Sequence, residues 1–406
     1  MRALYVSHNG MLEALGQSQV LPYLRGLARR DIEIDLISYE LPEATDDAIE
    51  ALRVRLSREG LRWHPMRRAR DPRLRIKVEE AGKGVLDAVM IAARRRPDII
   101  HGRSYLPTAI ADAVTKLVPR AKLVFDCRGM LGDEYVDSGY WTTDRIEYRL
   151  LKRYEKRAFR RAEGVVVLTE ALRRWVQGSG LLGSRTQIET IPCCVDFERF
   201  RFDAAGRARV RAELGIEGRL VIAYAGSLGG LYREADLARF IAVAKRRTDR
   251  PFTFLLLTRS DSDGLVESLK AGGLSTDEIR VRAVAPSEMP AYLSAADAGT
   301  AFGTTCFARM GCSPTKLAEY LACGLPAVFN DFGDQATLAP ERDACVMVGS
   351  FDDAALVDAA DRLLAMATVP IDQRVGTGRR VAEERFDLEK IGVARYEALY
   401  RSLAAR

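Results

Sequence analysis

A rhythm that runs through this chain twice constrains it more than any single residue. Short, strand-sized runs rich in leucine and β-branched residues alternate with longer amphipathic segments. In the first half the strand-like runs are ALYVSH, IEIDLISY, DIIHG, KLVFDC, GVVVLT and IETIP. Helical periodicity lies between them, over residues 18–30, 80–96, 107–118, 143–161 and 169–177. After IPCCVDFERF the cycle begins afresh with LVIAYAGS, FTFLLLT, IRVRAV, AGTAF, PAVF and ACVMV. Strands alternating with helices specify parallel sheets covered on both faces. Two such runs of similar length predict an α/β chain of two Rossmann-like, doubly wound domains facing each other across a cleft. The predicted domains are 1–198 and 199–385, and the amphipathic stretch 386–406 is predicted to be a helix packing back toward the first. A length of 406 residues, long for a single core, agrees with two domains.

Composition removes several functional classes. The longest apolar runs are strand-sized, far short of the roughly 18 residues a membrane-spanning helix needs. MRALYVSH enters a strand pattern at once, so no signal peptide is expected and a cytoplasmic place is. Seven cysteines without regular spacing point to a reduced compartment, with the vicinal Cys193 and Cys194 read as packing. Three histidines, His8, His64 and His101, and no Cys or His pair at zinc spacing, give no expectation of a metal site. The formal charge of +6 is unevenly placed: residues 62–77 hold seven Arg or Lys against one Asp, and 152–161 six against one Glu. These runs are either solvated faces or attract something anionic, a peripheral membrane surface or a polyanionic substrate. Nucleic acid is not expected, because no array of stacking aromatics accompanies the charge.

Ligands of open parallel sheets gather beyond the carboxyl ends of the strands. His8 and His101 each end a strand-like run, and PDIIHGRSYLP sets Arg103 just beyond the second. After the first strand, SHNGMLEALGQSQVLPYL places Gly10 and Gly16 around a loop that opens onto a helix, a geometry suited to phosphate or carboxylate. The spacing is not G-x-G-x-x-G, so it does not indicate a dinucleotide fold motif. FDCRGMLGDEY adds a charged loop with Asp126, Arg128, Asp133 and Glu134. In the second half, YAGSLGGLYRE follows a strand with Gly226, Ser227, Gly229 and Gly230, and Arg233 can point at whatever that loop holds.

The stretch SPTKLAEYLACGLPAVF, residues 313–329, reads as a short helix entered through Ser313 as N-cap and Pro314 at the first helical position. Leu317 and Leu321 mark its buried side, while Lys316, Glu319 and Cys323 form an offset stripe. A surface Lys316–Glu319 ion pair would contribute only about 0.3–0.5 kcal/mol. It would not explain the Ser-Pro opening or the Cys-Gly-Leu-Pro exit. A helix N-terminus plus a lysine suits a pyrophosphate, and a carboxylate one turn on suits a pair of ribose hydroxyls.

SPTKLAEYLACGLPAV resembles the signature of the retaining glycosyltransferases of family four, which have the GT-B fold. GMLEALGQSQVLPYLRGLA, FDCRGMLGDEYVDSGYW, VVVLTE, IPCCVDFERF, YAGSLGGLY and ERFDLEKIGVARYEALY resemble further blocks of that family, in its order along almost the whole chain. The resemblance implies metal-independent transfer of a sugar from a nucleotide-diphosphate sugar to an acceptor hydroxyl, with retention of configuration and no separate cofactor. A setting in cell-surface polysaccharide or glycoconjugate synthesis would follow. By position, Glu319 would hold the ribose. Lys316, Ser313, Pro314 and Thr315 would face the diphosphate, with Gly226, Ser227 and Gly229 and, from the first domain, Gly16. His101 would lie near the reacting centre, with Lys316 and Arg233 as its cationic partners in catalysis. The acceptor, a glycan, lipid-linked or small molecule, would meet His8, Arg103, Arg128 and Glu134.

The chain departs from that pattern in two places. Many members carry two glutamates separated by seven residues, and Gly311 stands where the first would be. The Arg and Lys that often follow the Gly-Ser loop are also displaced, leaving Arg233 as the nearest substitute. Two other readings stay open at this point: a nucleotide-sugar-converting enzyme of the 2-epimerase type, and a sugar-nucleotide-binding protein without catalysis.

Overall fold

A computed structural model of the chain describes residues 1–69, 74–338 and 342–406, with the backbone alone for 74–78. Residues 70–77, part of the basic run 62–77, therefore carry no described side chains. The chain divides into two compact units, Met1–Pro192 with Leu388–Arg406, and Cys193–Asp387.

The first unit is built on seven strands: β1 Arg2–Ser7, β2 Glu33–Glu40, β3 Leu61–Arg67, β4 Ile99–Arg103, β5 Lys122–Asp126, β6 Gly164–Val167 and β7 Gln187–Thr190. Their order is β3-β2-β1-β4-β5-β6-β7, and every pairing is parallel. The second unit has six: β8 Leu220–Ala225, β9 Phe252–Leu257, β10 Ile279–Arg282, β11 Ala298–Ala301, β12 Ala327–Asn330 and β13 Cys345–Val348. Their order is β10-β9-β8-β11-β12-β13, again all parallel. Every residue of β8 and β9 is buried, as a strand covered on both faces by crossover helices requires.

Twelve of these strands coincide with the apolar runs of the sequence; β3, LRWHPMR, does not. It is an edge strand in which burial alternates and then fades toward its end, and the edge tolerates Pro65. Its register rests on Trp63, whose Nε1 donates to Ser38 Oγ at 2.7 Å. The helix Asp46–Arg58 also escaped the periodic reading. It starts at Thr45, whose side chain accepts from the Ala48 N–H, and buries only Ile49, Leu52 and Leu56. The helical pattern 18–30 is broken in two at Val20, giving Ala14–Gln19 and Leu21–Ala28, with Pro22 in the first turn of the second.

The chain returns to its own beginning. The helix Ala394–Ala404 belongs to the first unit and buries Tyr396, Leu399, Tyr400 and Leu403 there. Gly164 of β6 makes room for it: a Cβ at that position would lie 2.8 Å from Leu403 Cδ1. Among the described residues no helix is long and apolar enough to cross a membrane. None of the seven cysteines is in a disulfide.

Candidate functional site

Both sheets wind outward in two directions from their first strand. In the second unit β9 and β10 lie on one side of β8, and β11 to β13 on the other. The carboxyl ends of β8 and β11 thus form a topological switch point, where open parallel sheets bind ligands. The loop leaving β8 has Gly226, Gly229 and Gly230 at φ of 131°, 82° and 59°, and they and Ser227 are exposed. It is pinned by the Tyr224 hydroxyl, which donates to the Ser227 carbonyl at 2.6 Å. Tyr232, at the loop's far end, forms an antiparallel bridge with Gly303 beyond β11.

The segment following β11 passes through a short turn, Ala308–Gly311, into the helix Thr315–Ala322. Ser313 does not cap that helix as expected. Its Oγ accepts instead from the Cys193 N–H at 3.1 Å, and Pro314 occupies the cap position with extended backbone, so Thr315 is the first helical residue. The exit follows the sequence: Gly324 takes φ 76°, and Leu325 N–H closes back on the Tyr320 carbonyl. Leu317 and Leu321 are buried as expected.

Lys316 is buried as well, at 5% exposure. It forms no ion pair with Glu319. Its ammonium sits 3.9 Å from the ring centre of Tyr224 and 4.3 Å from that of Tyr232, and no hydrogen-bond acceptor meets Nζ among the described residues. Gly226 completes the enclosure: a Cβ there would lie 3.1 Å from Nζ. Burial, reinforced by the nearby Arg309, lowers the Lys316 ammonium to about 7. Burial likewise raises Glu319 to about 7 against the opposing pull of Arg199 and Lys316. An amine and a carboxyl one helical turn apart are thus each shifted by burial toward the neutral form.

Arg309 is the residue that sequence reasoning missed. It is buried at 6% exposure, donates through Nη2 to the Leu231 carbonyl at 2.6 Å, and touches Cys312 Sγ at 3.2 Å. Its guanidinium lies 4.8 Å from the centre of the Tyr232 ring, so one tyrosine is shared by two cations. The signal was available in FARMGCSPTK: Arg309 is the one cation between β11 and Lys316. Arg233, expected to face the glycine loop, has its Nε on Asp236 at 2.6 Å and its guanidinium over Phe351 at 4.3 Å. Its charge is spent on its own helix, and Arg309 stands where a second cation was sought.

In the first unit the switch point lies between β1 and β4. Gly16 is buried, and a Cβ there would lie 2.1 Å from the Gly10 carbonyl oxygen, so this glycine lets the post-strand loop fold onto its own helix. Glu40 holds the same loop, accepting from the N–H groups of Met11 at 2.7 Å and Leu12 at 3.1 Å. His8, half-buried, lies 5.5 Å ring to ring from Tyr39.

His101 has a different setting from the open strand end that the sequence suggested. It is fully buried within β4 and stacks on Tyr5 at 4.3 Å. Its Nδ1 is 2.7 Å from the Tyr400 hydroxyl, and its Nε2 3.4 Å from Asp126 Oδ2. Asp126, also fully buried, takes Arg103 on one oxygen and Arg128 on the other, each at 3.4 Å, and accepts from the Tyr396 hydroxyl at 3.1 Å. Arg128, His101 and Arg103 hold the Asp126 carboxyl far below the usual range, although burial opposes them. Burial pushes the His101 imidazole down, so it is kept neutral. Three expected site residues, His101, Arg103 and Arg128, are therefore brought together around a carboxylate. Glu134 is half-buried in the helix Leu131–Asp137, and a Cβ on Gly129 would lie 2.1 Å from its carboxylate.

Residues 16–194 match a family model described as glycosyl transferase 4-like domain, and residues 219–366 one described as glycosyl transferases group 1. A 2-deoxystreptamine glucosyltransferase of Streptomyces kanamyceticus is 29% identical over 161 residues, a match covering 38% of this chain and 41% of the relative's length. Among solved structures, a sucrose-phosphate synthase from Thermosynechococcus elongatus superposes with TM-score 0.71 at 17% identity, covering 100% of this chain and 99% of that one. Anabaena HepE in complex with UDP and glucose superposes with TM-score 0.70 at 16% identity, covering 98% and 99%. Two parallel-sheet domains, each matching a glycosyltransferase model in order, make this chain a member of the glycosyltransferases of GT-B fold.

Proposed function

We propose that the protein transfers a sugar from a nucleotide-diphosphate sugar to an acceptor hydroxyl with retention of anomeric configuration, as in family four. The observation that carries this reading is Lys316: a buried ammonium that meets no acceptor among the described residues, caged by two tyrosines beside an exposed glycine loop. A diphosphate laid against Gly226–Gly230 supplies the missing acceptors, and Glu319, one turn on, meets the ribose hydroxyls. Ser313, Pro314 and Thr315 line the approach to the helix N-terminus, whose dipole favours the same charge. HepE, in its complexes with UDP and with UDP-glucose, is a fold relative that binds a ligand of this class.

In the step itself, the bond between the anomeric carbon and the β-phosphate oxygen breaks, and its electron pair leaves with the diphosphate. The acceptor oxygen bonds to the anomeric carbon from the same face, and its proton passes to the departing phosphate oxygen. Lys316 and Arg309 stabilise the charge that develops on the leaving group, a role that needs no metal. His101 acts as a positioning residue, through the Asp126 network that orders Arg103 and Arg128 on the acceptor side. The reaction is cytoplasmic, and the acceptor is a hydroxyl of a glycan or glycoconjugate under assembly.

A thermal-shift screen against UDP, GDP, ADP and dTDP and their sugars, repeated with Glu319→Ala, tests the donor site. One nucleotide family should stabilise the parent and not the variant. An equal response from the variant would remove Glu319 from the ribose. The anomeric configuration of the product, read by NMR, tests retention.

A further inference from the structure

The helix Ile146–Arg161 buries Glu155, Ala158 and Phe159, with Leu151 and Tyr154 packed against the same core. Its other face is exposed along Ile146, Arg149, Leu150, Arg153, Lys156, Arg157 and Arg160, a stripe at the helical repeat. The stripe has a direction. At its start Ile146 is 62% exposed and Leu150 54%, and just upstream Tyr140 is 66% exposed. Tyr135 stacks on Trp141 at 4.4 Å and lies 6.4 Å from Tyr140, ring to ring, giving a small aromatic group in the stretch of chain that leads into this apolar end.

Beyond Leu150 the stripe is cationic and holds no carboxylate. The acids of this helix are engaged elsewhere: Glu155 is buried with the Tyr105 hydroxyl and Lys152, and Glu147 pairs with Arg145. Asp112 draws Arg157 and Arg161 from a neighbouring helix. Arg153, Lys156 and Arg160 form no ion pair among the described residues. At the stripe's end Arg160 and Arg161 reach the rim of a cleft of about 620 Å³ that Lys122, Arg185 and Arg406 also line, with Glu163. One Glu163 oxygen is already taken by the Leu123 N–H.

A solvated basic face explains exposed arginines but not large apolar side chains on the same stripe. Soluble proteins keep such residues scattered singly. Apolar anchors followed by a cationic row are what a helix lying in a lipid headgroup layer needs: side chains to enter the acyl boundary and charges to meet phosphates. A soluble polyanion would use the cations and leave Ile146 and Leu150 without purpose. We propose that the outward face of helix Ile146–Arg161, with Tyr140, docks the protein on a bilayer containing anionic phospholipid. The proposal is independent of the donor chemistry, since no residue of the second unit takes part.

Co-sedimentation with vesicles tests it. The full chain should bind phosphatidylglycerol-containing vesicles at low salt and not pure phosphatidylcholine. Replacing Arg153, Lys156 and Arg160 together by Gln should weaken partitioning roughly a hundredfold, at about fivefold per cation removed. Ile146→Ser with Leu150→Ser should keep low-salt binding but lose what survives at high salt. All five positions are exposed, and an unchanged melting temperature will confirm that the variants fold. No vesicle binding at any salt, or binding that the triple variant retains in full, overturns the proposal. So does binding to a soluble sulfated polysaccharide that both variant sets leave alike while vesicles are ignored.

Discussion

Lys316 Nζ lies 3.9 Å from the centre of the Tyr224 ring, and among the described residues no hydrogen-bond acceptor meets it. A π face stabilises an ammonium only partly, by about 2 kcal/mol when desolvated. The site therefore holds its cation loosely until an anion of the right shape arrives.

This makes donor binding dependent on pH. In the empty site the Lys316 ammonium titrates near 7, and a bound diphosphate raises it. Binding should take up a proton above pH 7, and nucleoside diphosphate affinity should fall as pH rises, by at most about tenfold per unit. Calorimetry at pH 8 in two buffers of different ionisation enthalpy counts that proton. Lys316→Arg should remove the uptake, because guanidinium stays charged.

Arg309→Ala deletes a buried cation with two backbone and side-chain contacts around Tyr232. Loss of stability of about 3 kcal/mol is expected, together with a drop in kcat larger than any rise in KM. Urea denaturation and steady-state kinetics separate the two effects. If kcat falls only in proportion to folded protein, Arg309 is structural.

Gly16→Ala forces a Cβ to within 2.1 Å of the Gly10 carbonyl oxygen, a backbone atom that cannot swing aside. The loop after β1 must then shift, at a cost of about 1–3 kcal/mol. A fall in melting temperature with a loss of activity greater than that from Gly178→Ala, whose Cβ meets nothing within 4 Å, is the expected comparison.

Tyr400→Phe leaves the His101 Nδ1 without its 2.7 Å partner. The expected loss is about 1–3 kcal/mol, the penalty of an unsatisfied buried group. The same network sets acid stability. His101 is depressed in the folded protein, so its contribution is whole above its ordinary value near 6.5 and fades as pH falls below it. Asp126, also depressed, adds its own loss at lower pH, beginning near 4. Unfolding free energy measured from pH 8 to pH 3 should decline in these two stages, and Asp126→Asn should abolish the second.

Strands buried on both faces were legible because they are continuous apolar runs, β8 and β9 most plainly. The edge strand β3 was not, since an edge needs neither a full apolar face nor freedom from proline. At the site, Lys316 and Glu319 could be read from their place on a short helix. Which way Lys316 turned could not, because the choice between a surface carboxylate and two tyrosines is made by residues eighty or more positions upstream. Arg309 was hidden for the same reason: Tyr232 and Leu231, which position it, reach it only through the pairing of two loops. His101 was legible as a strand residue, but its burial depends on Tyr400, at the other end of the chain.

That last contact bears on how the protein is made. The second unit is a continuous segment, Cys193–Asp387, and all of it is synthesised before Tyr396 and Tyr400. Until they arrive, the buried imidazole of His101 and carboxylate of Asp126 lack their hydroxyl partners. The unit begun first is thus completed last, and a released chain truncated after Asp387 should hold the whole sequence of the second unit and a first unit whose His101 and Asp126 lack their hydroxyl partners.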